Sequence, residues 1–213
     1  MKKIAIVGSG GFAREVLTLI NDINKQSPIY EFIGFVDYDK SKKIHSYPII
    51  GSDDDVNMIT EPLSLVIAVG EPELKKKIRN KYTNPHIDFP TLIHPSVLIG
   101  DKNSVHIGEG CVICAGCIIT TDIEINNFVT LNLMCTVGHD TIIGNYSSFM
   151  PSVNISGEVK INEGVYVGTG AKIINQIEIG EQTIVGAGAV VARTLPSRCT
   201  AVGIPAKVIK YHE

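Results

Sequence analysis

His139 and Asp140 stand side by side in TVGHDTIIGNYS (residues 136–147), a stretch otherwise rich in valine, isoleucine and glycine. An imidazole is mostly neutral near pH 7, so it can accept a proton from an attacking amine or hydroxyl. A neighbouring carboxylate can hold the ring in one tautomer and stabilise the imidazolium. The pair predicts general-base chemistry; the alternative is two ordinary polar residues at a turn.

A six-residue repeat determines where these two residues lie. From Ile107 to Val191 every sixth residue is apolar, and all of these fifteen positions except Phe149 are aliphatic. A period of six combines the two-residue alternation of a strand with a corner, and stacked repeats form a solenoid of short parallel strands. In this register Val137 points inward, so we expect His139 and Asp140 to lie at a corner, outside the apolar column.

The repeat also bears on the cysteines. Cys111, Cys114 and Cys117 have the spacing of a metal knuckle. However, Cys111 and Cys117 fall on the inward position, which favours core thiols and leaves zinc as the alternative. Cys135 is inward as well, which disfavours an acyl-cysteine intermediate. We therefore expect no metal.

The first half of the chain alternates between strand and helix patterns. KKIAIVGSGGFAREVLTLINDI predicts a buried strand at Ile4–Val7, a glycine turn and an amphipathic helix. Further strands are expected up to Asp37 and over residues 63–70, and a helix is expected to begin within SDDD (residues 52–55). Such alternation predicts a small parallel sheet. Lys75–Lys77 is interpreted as the solvated face of a helix.

Gly8, Gly10 and Gly11 lie between the first strand and the first helix, where a loop can contact phosphate groups. Asp37 lies at the end of the second strand, where a ribose-binding acid would be in a dinucleotide fold. Three interpretations remain: a nucleotide or nucleotide-sugar site, a nicotinamide site, and a tight turn that binds nothing. Residues 1–84 hold only half of a two-part dinucleotide fold, which disfavours the nicotinamide site and hydride transfer.

Composition excludes several classes of protein. The 213 residues have a formal net charge of −3 and a pI near 6.1, which argues against nucleic-acid binding. The sequence contains no apolar run long enough to span a membrane. Five cysteines without an export signal are typical of a reduced, cytoplasmic protein. The expected domains are residues 1–84, residues 85–195 and a C-terminal tail at 196–213.

Several short motifs occur in a specific order along nearly the whole chain. They are IVGSGGFARE, GFVDYDK, LVIAVGEPELKKKI, LIHPSV, LN before VGHDTIIG, and AVGIPAKVI. This combination resembles the NeuD/PglD-like family of bacterial sugar acetyltransferases. The resemblance implies an α/β plus all-β fold, in which a small Rossmann-like nucleotide-sugar-binding domain precedes a left-handed parallel β-helix of hexapeptide repeats. It also implies a homotrimer that carries acetyl-CoA in grooves between neighbouring β-helices.

The resemblance assigns roles to individual residues. His139 matches the catalytic histidine of the family and Asp140 the acid that follows it. The other matches are Gly10, Asp37 and Gly70 around the nucleotide, Asn132 near the sugar, Gly157, Thr169 and Ala187 in the acetyl-CoA groove, and Gly203, Pro205 and Lys207 in the tail beside the coenzyme.

One position departs from the family pattern. Several members carry a second histidine nine residues after the first, close to the thioester, and here Ser148 occupies that place. We keep Ser148 on the coenzyme side, although a hydroxyl cannot offer a cationic donor. Oxyanion stabilisation is therefore assigned to a backbone N–H group, with Gly157 as the first candidate.

The resemblance implies an enzyme of surface polysaccharide biosynthesis that acetylates a nucleotide-linked amino sugar. The leading acceptor is a 4-amino-4,6-dideoxy sugar on UDP, dTDP or GDP, with His139 as general base. One alternative is O-acetylation of a sialic acid or related sugar. The other is a non-catalytic scaffold that binds nucleotide sugars.

Overall fold

A six-stranded sheet flanked by helices forms the N-terminal domain. The computed structural model describes residues 1–41, 43–44 and 46–212. In chain order the elements are β1 (Lys2–Val7), α1 (Gly11–Gln26), β2 (Tyr30–Val36), β3 (Lys43–Ile44), β4 (Tyr47–Gly51), α2 (Asp53–Asn57), β5 (Leu63–Ile67), α3 (Pro72–Lys81) and β6 (Ile87–Asp88). Their order in the sheet is β3-β4-β2-β1-β5-β6; β3 and β4 pair antiparallel, and the other neighbours run parallel.

The central strands are buried because other elements cover both faces of the sheet. Ile4–Val7 of β1 and Leu63–Ile67 of β5 are almost fully buried, as is typical of parallel strands covered on both sides. The expected helix at residues 52–55 is confirmed. It begins after Ser52, whose side chain and that of Asp55 each accept a hydrogen bond from the other residue's backbone N–H.

Short strands of the second half form the three faces of a left-handed parallel β-helix. Face 1 contains β7 (Leu92–Ile93), β10 (Val112–Ile113), β13 (Thr130–Leu131), β16 (Ser148–Phe149), β19 (Tyr166–Val167), β22 (Ile184–Val185), β24 (Cys199–Val202) and β25 (Lys207–Tyr211). Face 2 contains β8 (Leu98–Ile99), β11 (Ile118–Ile119), β14 (Thr136–Val137), β17 (Asn154–Ile155), β20 (Lys172–Ile173) and β23 (Val190–Val191). Face 3 contains β9 (Val105–Ile107), β12 (Ile123–Ile125), β15 (Ile142–Ile143), β18 (Lys160–Ile161) and β21 (Glu178–Ile179).

The hexad register predicted from the sequence is confirmed. Of the repeated apolar positions, Ile107 is half-buried at the lower end, and those from Ile113 to Val191 are buried in one core. The residues two positions earlier, including Cys135 and Thr141, are buried too, except for the half-buried Ile177. Strands of successive coils pair residue for residue, as in Thr136 with Asn154. One continuous apolar column therefore holds the coils together.

Each coil turns its corners through a residue with positive φ. Among the described residues, this conformation recurs every six positions from Gly110 to Gly188, and most of the positions are not glycine. Asp140, with a φ of 56°, is one of them. Aspartate tolerates this left-handed conformation better than most residues. The corner geometry thus exposes His139 and Asp140 together.

The N-terminal domain packs on face 1. Leu92, Val112 and Cys114 share an apolar cluster with α1 and β1. Near the next strand of face 1, β13, the ring of Phe89 contacts that of Phe128 edge-on, with centroids 5.5 Å apart. β6 lies three residues beyond the boundary expected at residue 84 and still pairs with β5. Within the described part of the chain, the longest apolar helices fall short of what a membrane crossing requires.

Candidate active site

The glycine loop after β1 lies at the edge where the carboxyl ends of β1, β2 and β5 meet. Gly8 has a φ of 102°, and a Cβ there would lie 3.3 Å from the carbonyl oxygen of Ala68. Gly10 precedes α1, which begins at Gly11, and a Cβ on Gly10 would have no neighbour within 4 Å. No side chain caps α1. Its first N–H groups therefore have no side-chain cap, as at helix N-termini that bind anions.

Asp37 lies beside this loop, immediately after β2. Its carboxylate accepts a hydrogen bond from the Ser9 hydroxyl and another, of 3.0 Å, from the backbone N–H of Asp39. The structure thus brings Asp37 and Gly8–Gly11 together at one edge. The sequence interpretation missed Ser9, although a hydroxyl between two loop glycines was a signal for it.

Gly70 connects this edge to the β-helix. A Cβ on Gly70 would lie 3.7 Å from Cε of Met150. Met150 and Asn132 lie on successive coils, at the corner that joins face 1 to face 2. The Asn132 N–H donates to the Phe149 carbonyl at 2.9 Å, and Asn132 is 6% exposed. Sequence reasoning found Asn132 by resemblance but gave no signal for Met150, whose role depends on how the domains pack.

A cavity extends from Gly70 and Met150 across face 1. Its volume is about 670 Å³. Its lining is mostly apolar. The lining residues are Gly70, Glu71, Pro72, Glu73, Met150, Gly164, Tyr166, Gln182, Ile184 and His212. Gly70, at the edge of the sheet, therefore borders a cavity large enough for a small molecule.

His139 and Asp140 lie on a different corner, between faces 2 and 3. Their side chains are 55% and 60% exposed, and Nδ1 of His139 lies 2.7 Å from Oδ2 of Asp140. When Nδ1–H donates to the carboxylate, the lone pair is on Nε2. The imidazole lies outside the dry core, as the hexad register predicts, with its basic nitrogen available to a ligand.

Gly157 lies under the imidazole on the next coil. The Glu158 N–H donates to the His139 carbonyl at 2.8 Å, which fixes the two corners against each other. A Cβ on Gly157 would lie 2.5 Å from Nε2 and 2.6 Å from Cε1 of His139. The ring can therefore occupy this position only because residue 157 has no side chain. Among the hydrogen bonds of the described residues, none uses the Gly157 N–H.

The coenzyme-side residues suggested by resemblance cluster elsewhere. Thr169 and Ala187 follow β19 and β22, so they lie on the upper coils of the corner between faces 1 and 2. Gly203 packs beside them, since its carbonyl accepts the Val190 N–H at 3.0 Å. Pro205 follows in the same turn, and Lys207 begins β25.

Ser148 is not at this corner. It is fully buried on face 1, where its hydroxyl lies 2.9 Å from Nζ of Lys75. The interpretation of Lys75–Lys77 as a solvated helix face is wrong for Lys75, which is 1% exposed and packs against the β-helix. The signal was present, because Lys75 lies on the same helical face as Ile78, the inward apolar residue of α3.

The three spaced cysteines do not converge on one point. Cys111 and Cys117 are in the β-helix core, whereas Cys114 points outward into the cluster formed with the N-terminal domain. Burial raises the pKa of the Cys111 thiol to about 11 and that of Cys114 to about 12, which disfavours thiolate ligands. A hydrogen bond with Cys117, together with burial, raises the pKa of Cys135. Among the described residues, no group of His, Cys, Asp or Glu side chains could hold a metal ion.

Within one chain, the candidate residues therefore form separate groups. Gly8–Gly11, Asp37, Gly70 and Asn132 follow one another from the sheet edge to the corner between faces 1 and 2. His139, Asp140 and Gly157 lie across face 2 on the next corner. The two lower coils of face 2 expose the apolar side chains of Leu98, at 64%, and Ile118, at 42%.

Comparisons with known proteins find similarity over both domains. The family model of the PglD N-terminal domain matches residues 3–82. GDP-perosamine N-acetyltransferase from Escherichia coli O157:H7 is 26% identical over 218 residues, covering 99% of this chain and 97% of the relative. The crystal structure of PerB from Caulobacter crescentus in complex with CoA and GDP-perosamine has a TM-score of 0.89 and 31% identity, covering 99% of this chain and 98% of that one. The acetyltransferase domain of PglB from Neisseria gonorrhoeae FA1090, in complex with acetyl coenzyme A, has a TM-score of 0.88 and 28% identity, covering 98% of this chain and 99% of that one.

Proposed function

The chain belongs to the NeuD/PglD-like family of sugar acetyltransferases, and we propose that it transfers the acetyl group of acetyl-CoA to the amino group of a nucleotide-linked amino sugar. The observation that carries the proposal is the placement of His139, whose imidazole is oriented by Asp140 and seated over Gly157 outside the core. Whole-length similarity to a structure that contains CoA and GDP-perosamine supports both substrates.

The acceptor that we propose first is a GDP-linked 4-amino-4,6-dideoxy sugar. Its diphosphate docks at Gly8–Gly11 and the N-terminus of α1, and its nucleoside lies near Asp37 and Gly70. The sugar then extends past Gly70 toward Asn132. The names of two relatives that align along the whole chain favour GDP over UDP and dTDP.

The reaction is a direct transfer. The sugar amine attacks the thioester carbonyl, Nε2 of His139 accepts a proton from the attacking nitrogen, and the C–S bond breaks to release coenzyme A. The N–H of Gly157 stabilises the oxyanion of the tetrahedral intermediate. General-base assistance of this kind contributes on the order of 10²–10⁴-fold. A covalent cysteine intermediate has no place, because Cys135 is buried in the core.

We propose that the site is shared between copies of the chain in a homotrimer. The nucleotide edge, formed by Gly8–Gly11, Asp37 and Gly70, adjoins the corner between faces 1 and 2, whereas His139 lies on the corner between faces 2 and 3. In the trimer that we propose, the sugar on one copy therefore meets the histidine of its neighbour. Burial of face 2, with exposed Leu98 and Ile118, would stabilise such an assembly. Light scattering coupled to size exclusion tests this: an active monomer would refute the shared site.

The experiment is a thiol-release assay with acetyl-CoA and a panel of GDP-, UDP- and dTDP-linked 4-amino-4,6-dideoxy sugars. We expect turnover with GDP-perosamine, and His139→Ala to lower kcat by about 10²–10⁴-fold while coenzyme A binding stays nearly intact. Unchanged turnover in that variant would remove His139 from the mechanism. No turnover alongside tight nucleotide-sugar binding would indicate the scaffold instead.

A further inference from the structure

Lys75 is a buried cation that the proposed reaction does not use. It lies in the first half of α3 and is 1% exposed. Its ammonium group donates hydrogen bonds of 2.9 Å to the Phe128 carbonyl, the Thr130 hydroxyl and the Ser148 hydroxyl. The Tyr146 carbonyl lies slightly farther away, at 3.4 Å. These acceptors all belong to the β-helix, so the side chain crosses from one domain into the other.

The arrangement matches the bonding capacity of an ammonium group. An ammonium has three N–H donors and no acceptor, and three oxygens lie at an equal, short distance from it. None of these oxygens is a carboxylate. Burial lowers the pKa of Lys75 to about 7, while the charges of Cys111 and Glu71 oppose the shift. Since each missing acceptor would leave a buried donor unpaired, the network defines one position of α3 on face 1.

The network lies close to both sides of the proposed sugar cleft, which is the space between Gly70 and the corner of Asn132 and Met150. Lys75 is five residues after Gly70, which ends the nucleotide edge. Thr130 and Ser148 are register partners on neighbouring strands β13 and β16. Each is two residues before a corner residue of the cleft, Asn132 and Met150 respectively. A shift of α3 on face 1 would therefore move the nucleotide edge relative to the corner toward which the sugar extends.

We propose that Lys75 is a positioning residue, which holds the nucleotide edge in register with the corner of Asn132 and Met150 so that the sugar amine meets the thioester. The inference rests on the proposed function and adds a residue that contacts neither substrate. Neighbouring Lys76 and Lys77 do not share this position, since both are exposed and pair with Glu163 and Glu73.

The first experiment compares Lys75→Met with Lys77→Met. Methionine keeps an unbranched, buried side chain but removes the donors, and the control removes an exposed charge from the same helix. Because a misplacement of about 1 Å can lower turnover by about 10²-fold, we expect Lys75→Met to lower kcat by about that factor. The Kd values for GDP-perosamine and for acetyl-CoA, measured separately by calorimetry, should stay within about threefold. Lys77→Met should behave like the parent protein.

A second pair of variants keeps the lysine and changes an acceptor. Thr130→Val removes the hydroxyl at nearly constant shape, whereas Thr130→Ser keeps it. We expect Val to lower kcat by about tenfold and Ser to restore it, with both proteins folded. In the double variant Lys75→Met/Thr130→Val, the second change should add little, because the interaction is already lost. Should Lys75→Met not fold, the Val and Ser pair still provides the test.

Amide hydrogen exchange provides a measurement that is independent of turnover. Lys75→Met should speed exchange in α3 and in β13 and β16, and Lys77→Met should not. If the parent protein acetylates no sugar in the panel but this exchange pattern appears, the proposed function fails and the interdomain contact stands. A folded Lys75→Met protein with kcat within threefold of the control would overturn the positioning role. The positioning role would also be overturned if the decreases in kcat of Lys75→Met and Thr130→Val multiplied in the double variant.

Discussion

Gly157 gives the sharpest test of how His139 is placed. In Gly157→Ala the new Cβ would lie 2.5 Å from Nε2 and 2.6 Å from Cε1 of His139. Carbon and nitrogen atoms in contact normally stand about 3.5 Å apart or more. The imidazole must therefore move by about 1 Å, which strains its 2.7 Å hydrogen bond with Asp140. The backbone at Gly157 has no positive φ, so alanine itself causes no conformational strain there.

Displacement of a catalytic group by about 1 Å lowers turnover by about 10²-fold. We expect Gly157→Ala to lower kcat by that factor in the thiol-release assay, with the KM for GDP-perosamine within threefold. Ser156→Ala, an exposed neighbour on the same corner, should have no effect. Both proteins should show the same unfolding transition as the parent.

A double variant separates the steric cause from any other. Once His139→Ala has removed the ring, the Cβ of Gly157→Ala has nothing to displace. The double variant should then be as slow as His139→Ala alone. Fully multiplicative losses would refute the steric argument and indicate that Gly157 acts through its N–H or through the coenzyme. An unaffected Gly157→Ala enzyme would mean that the imidazole does not lie over residue 157.

Three further predictions concern binding and stability. Asp37→Ala should weaken binding of GDP-perosamine by about tenfold or more in calorimetry, because a hydrogen bond to a charged group contributes about 1.5–3 kcal/mol; the affinity for acetyl-CoA should not change. Since the pKa of Lys75 is about 7 in the folded protein and 10.5 in the reference state, the unfolded chain binds an extra proton between these values. The free energy of unfolding of the parent relative to Lys75→Met should therefore rise from pH 7 to pH 10.5, by at most about 5 kcal/mol. A flat difference in denaturant titrations would contradict the lowered pKa of Lys75. Phe149→Ala should lower the free energy of unfolding by about 3–5 kcal/mol, because a fully buried ring leaves a cavity in the column; a loss below 1 kcal/mol would mean that the coil collapses around it.

The fold of the second half could be predicted closely because its information is local. Inward apolar residues such as Ile143 and Val167 recur every six positions. Few folds other than stacked coils bury residues with this spacing. The same register predicted that Cys111 and Cys117 lie in the core and do not form a metal site. It also predicted that His139 lies outside the core. The family assignment, drawn from motif order along the chain, is also confirmed by similarity over both domains.

The position of α3 was not predicted. The shared helical face of Lys75 and Ile78 was a signal that Lys75 points inward, but spacing along the chain does not indicate which surface receives it. Lys75 is buried only because face 1 supplies three oxygens from residues more than 50 positions away. Likewise, the contact of Gly70 with Met150 exists only once the domains have docked. Ser148, fully buried against Lys75, does not lie with the other coenzyme-side residues. The roles of all the other candidate site residues, from Gly8 to Lys207, remain predictions.

The sequence by itself determined the periodic column, the glycine loop before α1 and the outward placement of His139 beside Asp140. Each of these depends on residues within one or two turns of chain, where steric and hydrophobic patterns act directly. Only the tertiary structure decided that the imidazole is seated over Gly157, that Lys75 joins the domains and that Gly70 borders the cavity on face 1. These features require surfaces from distant segments to meet, and their geometry follows from packing rather than from spacing along the chain.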